Sequence, residues 1–318
     1  MRYDFAPMEG ITGFLFRQLH HQYFPGVDRY YIPFLSPTQD HTFTPRELRE
    51  VLPENNQGLE VVPQLLTKSP EDFLWAAGEL SAMGYQTVNL NLGCPSGTVV
   101  AKGKGAGMLR CPEDLDRFLD TVFSRAPCAV SVKTRLGLSD AAEFGPILEI
   151  YNRYPISELI VHPRVQQDFY RHPVRMEQFG PILSASRNPV CYNGGLVRVE
   201  SCRCLEARFP TISGIMIGQG FLANPALASQ IRGGLPASRE ALQSFHDHLF
   251  DGYCRLFDSP HNAMMRMKEL WPYLIRLFRN SGSCAKALRK ARDPQAFRLA
   301  ADTVFQTLEL LAEADWAS

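Results

Sequence analysis

Eight short runs rich in β-branched and aromatic residues recur along much of the chain, at intervals of roughly 25 to 45 residues. Several of them, such as CAVSVK and GIMIG, are almost continuously apolar, which is typical of parallel strands buried on both faces. We predict eight strands at Tyr3–Ala6, Arg29–Pro33, Leu59–Gln64, Gln86–Asn91, Ala129–Lys133, Glu158–His162, Val190–Asn193 and Gly214–Gly218.

Helical patterns separate many of these runs. Ser69 is a good N-cap for the segment Pro70–Met83, whose first turn is acidic, and Pro112–Phe123 starts in the same style. The polar stretch Thr38–Asn56 is interrupted by prolines and is predicted to be a loop with at most a short helix. Further helices are predicted at Ala141–Tyr154 and Val199–Phe209. This alternation predicts an α/β fold, a (β/α)8 TIM barrel; the alternative is a doubly wound open sheet, and eight consecutive units without a reversal favour the barrel.

The strand signals stop after Pro236, and only helical patterns follow. We predict helices at Ala237–Leu256, Ala263–Arg279, Cys284–Lys290 and Pro294–Glu313. The chain of 318 residues is therefore predicted to have two domains, a barrel over residues 1–235 and a smaller all-helical domain over residues 236–318, joined by a glycine-rich linker.

Composition limits the class of protein. Eight cysteines are too few for a disulfide scaffold, no C-x-x-C pair occurs, and Cys202 and Cys204 are too close for a usual zinc pair, so we predict no metal site. The N-terminus lacks the apolar run of a signal peptide, and no apolar stretch approaches the ~18 residues of a membrane span. A cytoplasmic monomer is the expectation.

Polar, reactive or glycine-rich residues follow seven of the eight predicted strands. In a barrel of this kind the carboxyl ends of the strands form one mouth, where the reacting groups lie. We therefore expect one site that contains most of these residues, namely Pro7, Met8, Glu9, Gln64, Asn91, Cys94, Lys133, Arg135, His162, Arg164, Asn193, Gly194, Gly195, Gly218 and Gln219.

The glycine-rich loops after strands 7 and 8, NGG and GQG, indicate a phosphate site, because glycine lets backbone N–H groups approach a ligand closely. With Lys133 and Gln64 nearer the centre, the pattern suits flavin mononucleotide (FMN), since a cation stabilises the reduced flavin ring. Cys94, between Gly93 and Pro95, is the candidate acid, because a thiol of pKa ~8.5 is protonated at neutral pH.

Taken together, these motifs resemble the tRNA-dihydrouridine synthases. The matching stretches are APMEGIT, VVPQLL, VNLNLGCPS, KGKGAGMLR, SVKTRLG, LIVH, YNGG and IMIGQG, in family order over about 220 residues. The resemblance implies that FMN, reduced by NADPH, delivers a hydride to C6 of a tRNA uracil while Cys94 protonates C5. It implies that Asn91 holds the uracil edge and that FMN is bound by Pro7, Met8, Gln64, Lys133, His162, Asn193, Gly194, Gly195 and Gly218, with Glu9 and Gln219 beside them.

Two positions depart from the family pattern. Gln219 stands where the family usually has the arginine of G-R-G, which removes a phosphate-pairing charge and predicts lower FMN affinity. After strand 6 the family usually reads H-G-R-T, and here Pro163 follows His162, which removes a backbone N–H. Both changes are consistent with a divergent subgroup.

The net charge is zero, with 33 basic and 33 acidic residues, but the charge is not evenly spread. The segment Arg266–Arg298 contains nine basic and two acidic residues, a net charge of +7, which is the electrostatic pattern expected of a surface for phosphate backbones. We predict that tRNA contacts Arg266, Lys268, Lys286, Arg289 and Lys290 there, and Lys102, Arg135 and Arg164 in the barrel loops.

Two other functions stay open at this point. A flavin barrel that acts on a small pyrimidine or dihydroorotate would need the same FMN and thiol, but it would not need the basic helical segment. A non-catalytic tRNA-binding relative is favoured only by Gln219 and Pro163.

Overall fold

The eight strands form one closed parallel barrel, in which each strand pairs with the next along the chain. They are Tyr3–Phe5 (β1), Arg29–Leu35 (β2), Val61–Leu65 (β3), Thr87–Leu92 (β4), Ala129–Arg135 (β5), Leu159–His162 (β6), Val190–Asn193 (β7) and Gly214–Ile217 (β8). The computed structural model describes residues 1–316. The barrel closes where the Ile215 N–H donates to the Arg2 carbonyl at 2.9 Å. The predicted barrel is confirmed, and the open-sheet alternative is wrong.

Helices lie in the connections between the strands and follow the last strand. They are Phe14–Tyr23 (α1), Pro45–Val51 (α2), Pro70–Ala82 (α3), Gly97–Ala101 (α4), Pro112–Arg125 (α5), Phe144–Tyr151 (α6), Met176–Ala185 (α7), Val199–Arg208 (α8), Gln219–Ala223 (α9), Leu227–Ile231 (α10), Arg239–Phe257 (α11), Pro260–Leu274 (α12), Gly282–Lys290 (α13) and Pro294–Thr307 (α14). Short 3₁₀ turns lie at Pro53–Asn56, Gly105–Arg110, Ala141–Glu143, Gln166–Asp168 and Ile275–Leu277. None of the helices in residues 1–316 has both the length and the apolar character that a membrane span needs.

Some elements differ from the sequence-based expectation. The predicted helix Ala141–Tyr154 is divided into a 3₁₀ turn and α6, which places Pro146 in the first turn of α6, where a missing N–H costs no hydrogen bond. Helix α1 was not predicted because two polar residues, Arg17 and His20, occupy buried positions of the helix and obscure its apolar period. The Arg17 guanidinium is accommodated there by donating to the Thr12 carbonyl at 2.9 Å.

The residues pack into two compact units. The first unit consists of Met1–Pro7, Arg29–Gly195 and Arg208–Met216, and it contains the strands. The second consists of Met8–Asp28, Leu196–Ala207 and the chain from Ile217 onward, and it is helical. The second unit includes α1, α9 and α10 as well as the C-terminal helices, so packing does not follow chain order; the domain boundary at residues 235 and 236 stays a prediction.

Within the first unit, an apolar cluster fills part of the buried core. It consists of Ala6, Tyr31, Val62, Ile160, Cys191 and Met216. Near it, the buried carboxylates of Asp4 and Glu158 both accept from the Arg2 guanidinium, and Ser213 Oγ donates to Glu158 at 2.5 Å. Asp4, Glu158 and Cys191 lie close enough to hold a cation, but the carboxylates already pair with Arg2 and, at 3.7 Å from Glu158, with Arg29. We interpret these side chains as a buried ion-pair network.

Candidate active site

Strand pairing brings polar side chains of β3–β6 to the carboxyl end of the first unit's strands. Gln64 lies in register with Asn89, Asn91 with Lys133, and Arg135 with His162. All of these side chains are buried except Lys133, which is half-buried. Residues two apart on a strand share a face, so Ser131, Lys133 and Arg135 point the same way along β5.

Asn91 holds the backbone of the loop that carries Cys94. Its Oδ1 accepts from the N–H groups of Gly93 at 3.1 Å and Cys94 at 2.9 Å, and its Nδ2 donates to Gln64 Oε1 at 2.8 Å. The Cys94 thiol is half-buried. Asn91 therefore fixes the position of the cysteine through the main chain.

The glycine-rich segment after α4 supports the same loop from its other side. Ala106 N–H donates to the Cys94 carbonyl at 3.1 Å, and Gly105 has a φ of +57°. A Cβ on Gly105 would lie 2.9 Å from the Cys94 Cβ, so only glycine allows this approach. Lys102, in the same segment, is exposed.

The Lys133 ammonium carries a positive charge that few neighbouring groups stabilise. Burial lowers the pKa of its ammonium to about 8, and the nearby Arg135 guanidinium acts in the same direction. Within residues 1–316 the ammonium has neither a hydrogen-bond nor an ion-pair partner. Such a group stabilises an anionic or electron-rich ligand.

Arg135 was predicted to contact tRNA, and the structure uses its guanidinium to join loops of the first unit. It donates to the carbonyls of Gly93 at 2.9 Å, Val165 at 2.9 Å and Phe169 at 3.0 Å. It also lies 5.3 Å from the ring centre of Tyr170. These bonds tie the loop after β4 to the loop after β6.

His162 is a neutral hydrogen-bond donor at this end of the barrel. Arg164 Nη1 donates to His162 Nε2 at 2.9 Å, and because a guanidinium only donates, Nε2 is unprotonated and the proton is on Nδ1. Burial and the neighbouring cations Arg135, Lys133 and Arg164 hold the pKa of His162 well below its usual range. Arg164 is itself fixed by donating to the His172 carbonyl at 2.6 Å.

The glycines after β7 pack directly on His162. Asn193 Nδ2 donates to the Met216 carbonyl at 2.9 Å, and Gly194 and Gly195 follow with φ values of +131° and +69°. A Cβ on Gly194 would lie 2.7 Å from His162 Cδ2. The NGG sequence is therefore needed both for the turn and for the space that the imidazole occupies.

The other predicted cofactor residues belong to the helical unit, except Pro7, which ends the first segment of the strand unit. Ile11 and Thr12 N–H groups both donate to the Met8 carbonyl at 3.0 Å, which forms a turn next to the exposed Glu9. Gly218 is the N-cap of α9, and Gln219 is its first residue. A five-residue helix such as α9 provides little dipole of its own.

Five of the nine cations in the basic segment are engaged within the helical unit. Arg266 donates to the Gly10 carbonyl, and Lys268 Nζ donates to the carbonyls of Arg289, at 3.3 Å, and Ala291. The other three are Arg276, which stacks on Trp316, Arg279, which pairs with Glu309, and Arg298, which pairs with Asp251. These contacts account for much of the +7 charge in structural terms.

The remaining four cations form an exposed surface on α13. We call Lys286, Arg289, Lys290 and Arg292 the α13 basic surface. The side chains of all four are exposed, and no carboxylate within residues 1–316 pairs with them. Of the predicted tRNA residues in this segment, Lys286, Arg289 and Lys290 thus have their charges available to a ligand.

Sequence reasoning missed Asn89, Ser131, Phe169 and Tyr170. Asn89 and Ser131 lie inside strands and within the matching stretches VNLNLGCPS and SVKTRLG, yet the sequence assigns them no role; both are buried and hydrogen-bonded. Phe169 has a φ of +48°, uncommon for a residue with a side chain, and Tyr170 is 54% exposed with its ring centre 6.1 Å from that of His162. The one sequence signal that could have indicated these two residues was an aromatic pair, Phe169-Tyr170, in the loop after β6.

Comparison with known proteins gives the family of this chain. The family model for dihydrouridine synthase matches residues 4–313. The chain belongs to the dihydrouridine synthase family. A tRNA-dihydrouridine(16) synthase of Ralstonia nicotianae is 30% identical to this synthase-family chain over 305 residues, covering 91% of each. A tRNA-dihydrouridine(16) synthase of Pasteurella multocida is 26% identical over 96% of this chain and 99% of its own.

Solved structures give the fold of this dihydrouridine synthase family member a second line of support. Morphinone reductase superposes with a TM-score of 0.53 at 13% sequence identity, covering 75% of this chain and 87% of its own. At such low identity the likeness shows the fold alone, which is the TIM barrel already seen in the strand order.

Gly194→Ala tests the close packing of the NGG turn. The new Cβ would meet the His162 ring and would adopt a φ of +131°, so we expect a loss of unfolding free energy of at least about 2 kcal/mol. Gly78→Ala, in the middle of α3 with nothing within 4 Å of the new Cβ, is the matched control and should raise stability slightly. Urea denaturation measures both; equal stability of Gly194→Ala and wild type would contradict the packing argument.

Proposed function

We propose that this protein is an FMN-dependent tRNA-dihydrouridine synthase that reduces the C5=C6 bond of a tRNA uridine, with NADPH as the reductant. The observation that carries the proposal is the placement of Cys94: its loop is held by Asn91, and Asn91 lies in register with the uncompensated cation Lys133. A proton donor and a cation for a reduced ring are thereby brought to one end of a closed barrel.

The residues present fit FMN by their chemistry. Lys133 provides a cation without a partner in the described chain, His162 has an Nδ1–H to donate, and the Gln64 amide has one N–H and one lone pair beyond its bonds within the protein. Gly194 brings the backbone of the turn against the His162 ring, where a Cβ would not fit. We assign FMN binding to these four residues with Pro7, Asn193 and Gly195. For Met8, Glu9, Gly218 and Gln219, which belong to the helical unit, FMN binding stays a prediction from the sequence.

When bound, FMN supplies a hydride for C6 of the uracil and is restored by NADPH. The protein's own task is to deliver a proton to the adjacent carbon, C5, and we assign that step to the Cys94 thiol. The Asn91 bonds to the Gly93 and Cys94 N–H groups orient the thiol. Orientation matters here because two neighbouring carbons must be attacked in one geometry.

Recognition of the uridine is assigned to the same loops. The second N–H of Asn91 Nδ2, which the bond to Gln64 leaves over, is a donor for the uracil edge. The Arg135 and Arg164 cations, both buried and bonded to backbone carbonyls, add positive charge, and neither forms an ion pair with a carboxylate of residues 1–316. A uridine must leave its stack to reach such a site, as in other enzymes that act on bases.

We assign tRNA backbone binding to the α13 basic surface. Its four cations are exposed and unpaired in the described residues, which is the property that counterion release requires. Lys102 is an exposed cation in the first unit that suits the same ligand. Arg266 and Lys268, although predicted from sequence, act first within the protein through backbone carbonyls.

For the position of the uridine, we propose residue 16 of the tRNA. Two relatives whose lengths this chain matches over at least nine tenths are named for that position. We further propose a monomer that works in the cytoplasm, where its tRNA substrate is found. Mapping dihydrouridine in tRNA from a deletion strain tests the position: loss at residue 16 alone is expected, and an unchanged residue 16 would refute it.

Cys94→Ala tests the acid. We expect the variant to keep FMN and to lose at least about 100-fold in the rate of dihydrouridine formation, because general acid catalysis typically contributes that much. Cys128→Ala is the control, since Cys128 is also half-buried and directly precedes β5, at the strand end away from the proposed site. Mass spectrometry of the tRNA measures product; a normal rate in Cys94→Ala would make the acid assignment wrong.

The pKa of Lys133 predicts a pH dependence for FMN binding. The ammonium is charged below about pH 8 and neutral above it, so FMN affinity should fall as pH rises through about 8, by up to about tenfold per pH unit. Fluorescence titration of the apoprotein with FMN measures the dissociation constant. Lys133→Met should bind more weakly and lose this dependence; the same slope in both proteins would show that another group is responsible.

Charge reversal tests the α13 basic surface. Arg289→Glu with Lys290→Glu should weaken tRNA binding at least about tenfold, while NADPH oxidation stays intact. The slope of log affinity against log salt concentration should fall by the equivalent of about two phosphate contacts. Arg117→Glu with Arg125→Glu on α5 changes the net charge equally and is the control. Filter binding at several salt concentrations distinguishes them, and equal affinities of the two double variants would exclude the surface.

A further inference from the structure

We infer that Asn89 and Ser131 are positioning residues, which set the amide orientation of Gln64 and, through Asn91, the position of the Cys94 loop. Both residues lie in stretches that match the family, VNLNLGCPS and SVKTRLG, but the sequence analysis assigns neither of them a role. Both lie inside strands of the first unit. The inference deepens the proposed function and rests on it for the roles of Gln64 and Cys94.

The two residues belong to one continuous hydrogen-bond chain across β3, β4 and β5. Asn91 Nδ2 donates to Gln64 Oε1, Gln64 Nε2 donates to Asn89 Oδ1, and Asn89 Nδ2 donates to Ser131 Oγ, each at 2.8 Å. Ser131 Oγ donates in turn to the Val88 carbonyl at 3.4 Å. The four side chains are at most 7% exposed, so water does not compete for these bonds.

Backbone groups at both ends give this chain its direction. The Gly93 and Cys94 N–H groups can only donate, so Asn91 must present its oxygen to them and its nitrogen to Gln64. The requirement passes along the chain: Gln64 accepts at Oε1, so its nitrogen faces Asn89, and the Asn89 nitrogen faces Ser131. At the far end the Val88 carbonyl can only accept, which agrees with a donating hydroxyl.

This direction decides what Gln64 offers to a ligand. An amide side chain that is held at one atom only can turn about that bond, which changes where its free N–H and its free lone pair point. Gln64 is held at both atoms, by Asn91 on one side and Asn89 on the other. Removing Asn89 leaves Gln64 with the bond to Asn91 alone. The direction in which Gln64 presents its free N–H and lone pair should then change, and so should the geometry of the Asn91 bonds to the Gly93 and Cys94 N–H groups.

The test uses Asn89→Leu, which keeps approximate volume and removes the acceptor and donor. Two quantities are measured: the dissociation constant of FMN for the apoprotein, and the alkylation rate of Cys94 by iodoacetamide relative to Cys128, resolved by mass spectrometry. We expect the FMN constant to rise at least about fivefold and the Cys94 to Cys128 ratio to change at least about threefold. The second quantity does not depend on any cofactor.

Two further variants separate positioning from general destabilisation. Asn89→Asp retains the acceptor for Gln64 Nε2, and the Ser131 hydroxyl can turn to donate to it, so the alkylation ratio should stay within about twofold of wild type. Thr134→Val changes the other face of β5, the strand that carries Ser131. It removes a buried hydroxyl that donates to the Arg135 carbonyl at 2.9 Å and lies near Tyr151. It should lower stability and leave both measured quantities unchanged.

The outcomes are distinct. A folded Asn89→Leu with the wild-type alkylation ratio and FMN constant overturns the inference. If Asn89→Leu does not fold, Ser131→Ala, which removes only the last acceptor, decides it: a ratio shifted by more than about twofold supports the inference, and a ratio within about twofold of wild type overturns it. A wild-type protein that binds no FMN while the alkylation ratios shift as expected would refute the proposed cofactor and leave the positioning of Cys94 standing.

Discussion

Closure of the parallel strand ladder is the constraint on which the strand unit depends. Because every strand runs the same way and β8 returns to the start of the chain, the carboxyl ends of the strands share one rim. Residues that are far apart in sequence, such as Gln64 and Asn89 or Arg135 and His162, then become neighbours through register. No single segment of the chain has the chemistry of the site; closure assembles it.

The assembled rim is unusually rich in positive charge that no carboxylate balances directly. Arg135 and Arg164 are held by backbone carbonyls, which accept hydrogen bonds without neutralising the charge, and Lys133 has no partner in residues 1–316. The cost of burying these cations shows in the lowered pKa values of Lys133 and His162. Such an arrangement is costly in an empty barrel, and it becomes favourable when an anionic ligand binds.

The helical unit illustrates the opposite use of charge. Arg266 and Lys268 donate to backbone carbonyls, and Lys268 satisfies carbonyls at the end of α13 that the helix leaves without partners. Ion pairs engage Arg279 and Arg298. The net charge of the segment therefore overstates the surface open to a polyanion, which is confined to α13 and to Arg292, two residues after it.

The hydrophobic period and the turn and cap residues of the sequence were enough to predict the barrel, the strand ends and the helix capped by Ser69, because these depend on local patterns. Helix α1 was not predicted, because Arg17 and His20 are buried by tertiary packing, which no local sequence pattern encodes. Motifs also led to Cys94, Lys133 and the NGG turn. They did not lead to Asn89 and Ser131, because the role of these residues depends on hydrogen bonds between side chains of three neighbouring strands. Residue types and their order thus determined the kind of site; strand register and burial, which arise only when the barrel closes, decided which donors and charges remain for a ligand.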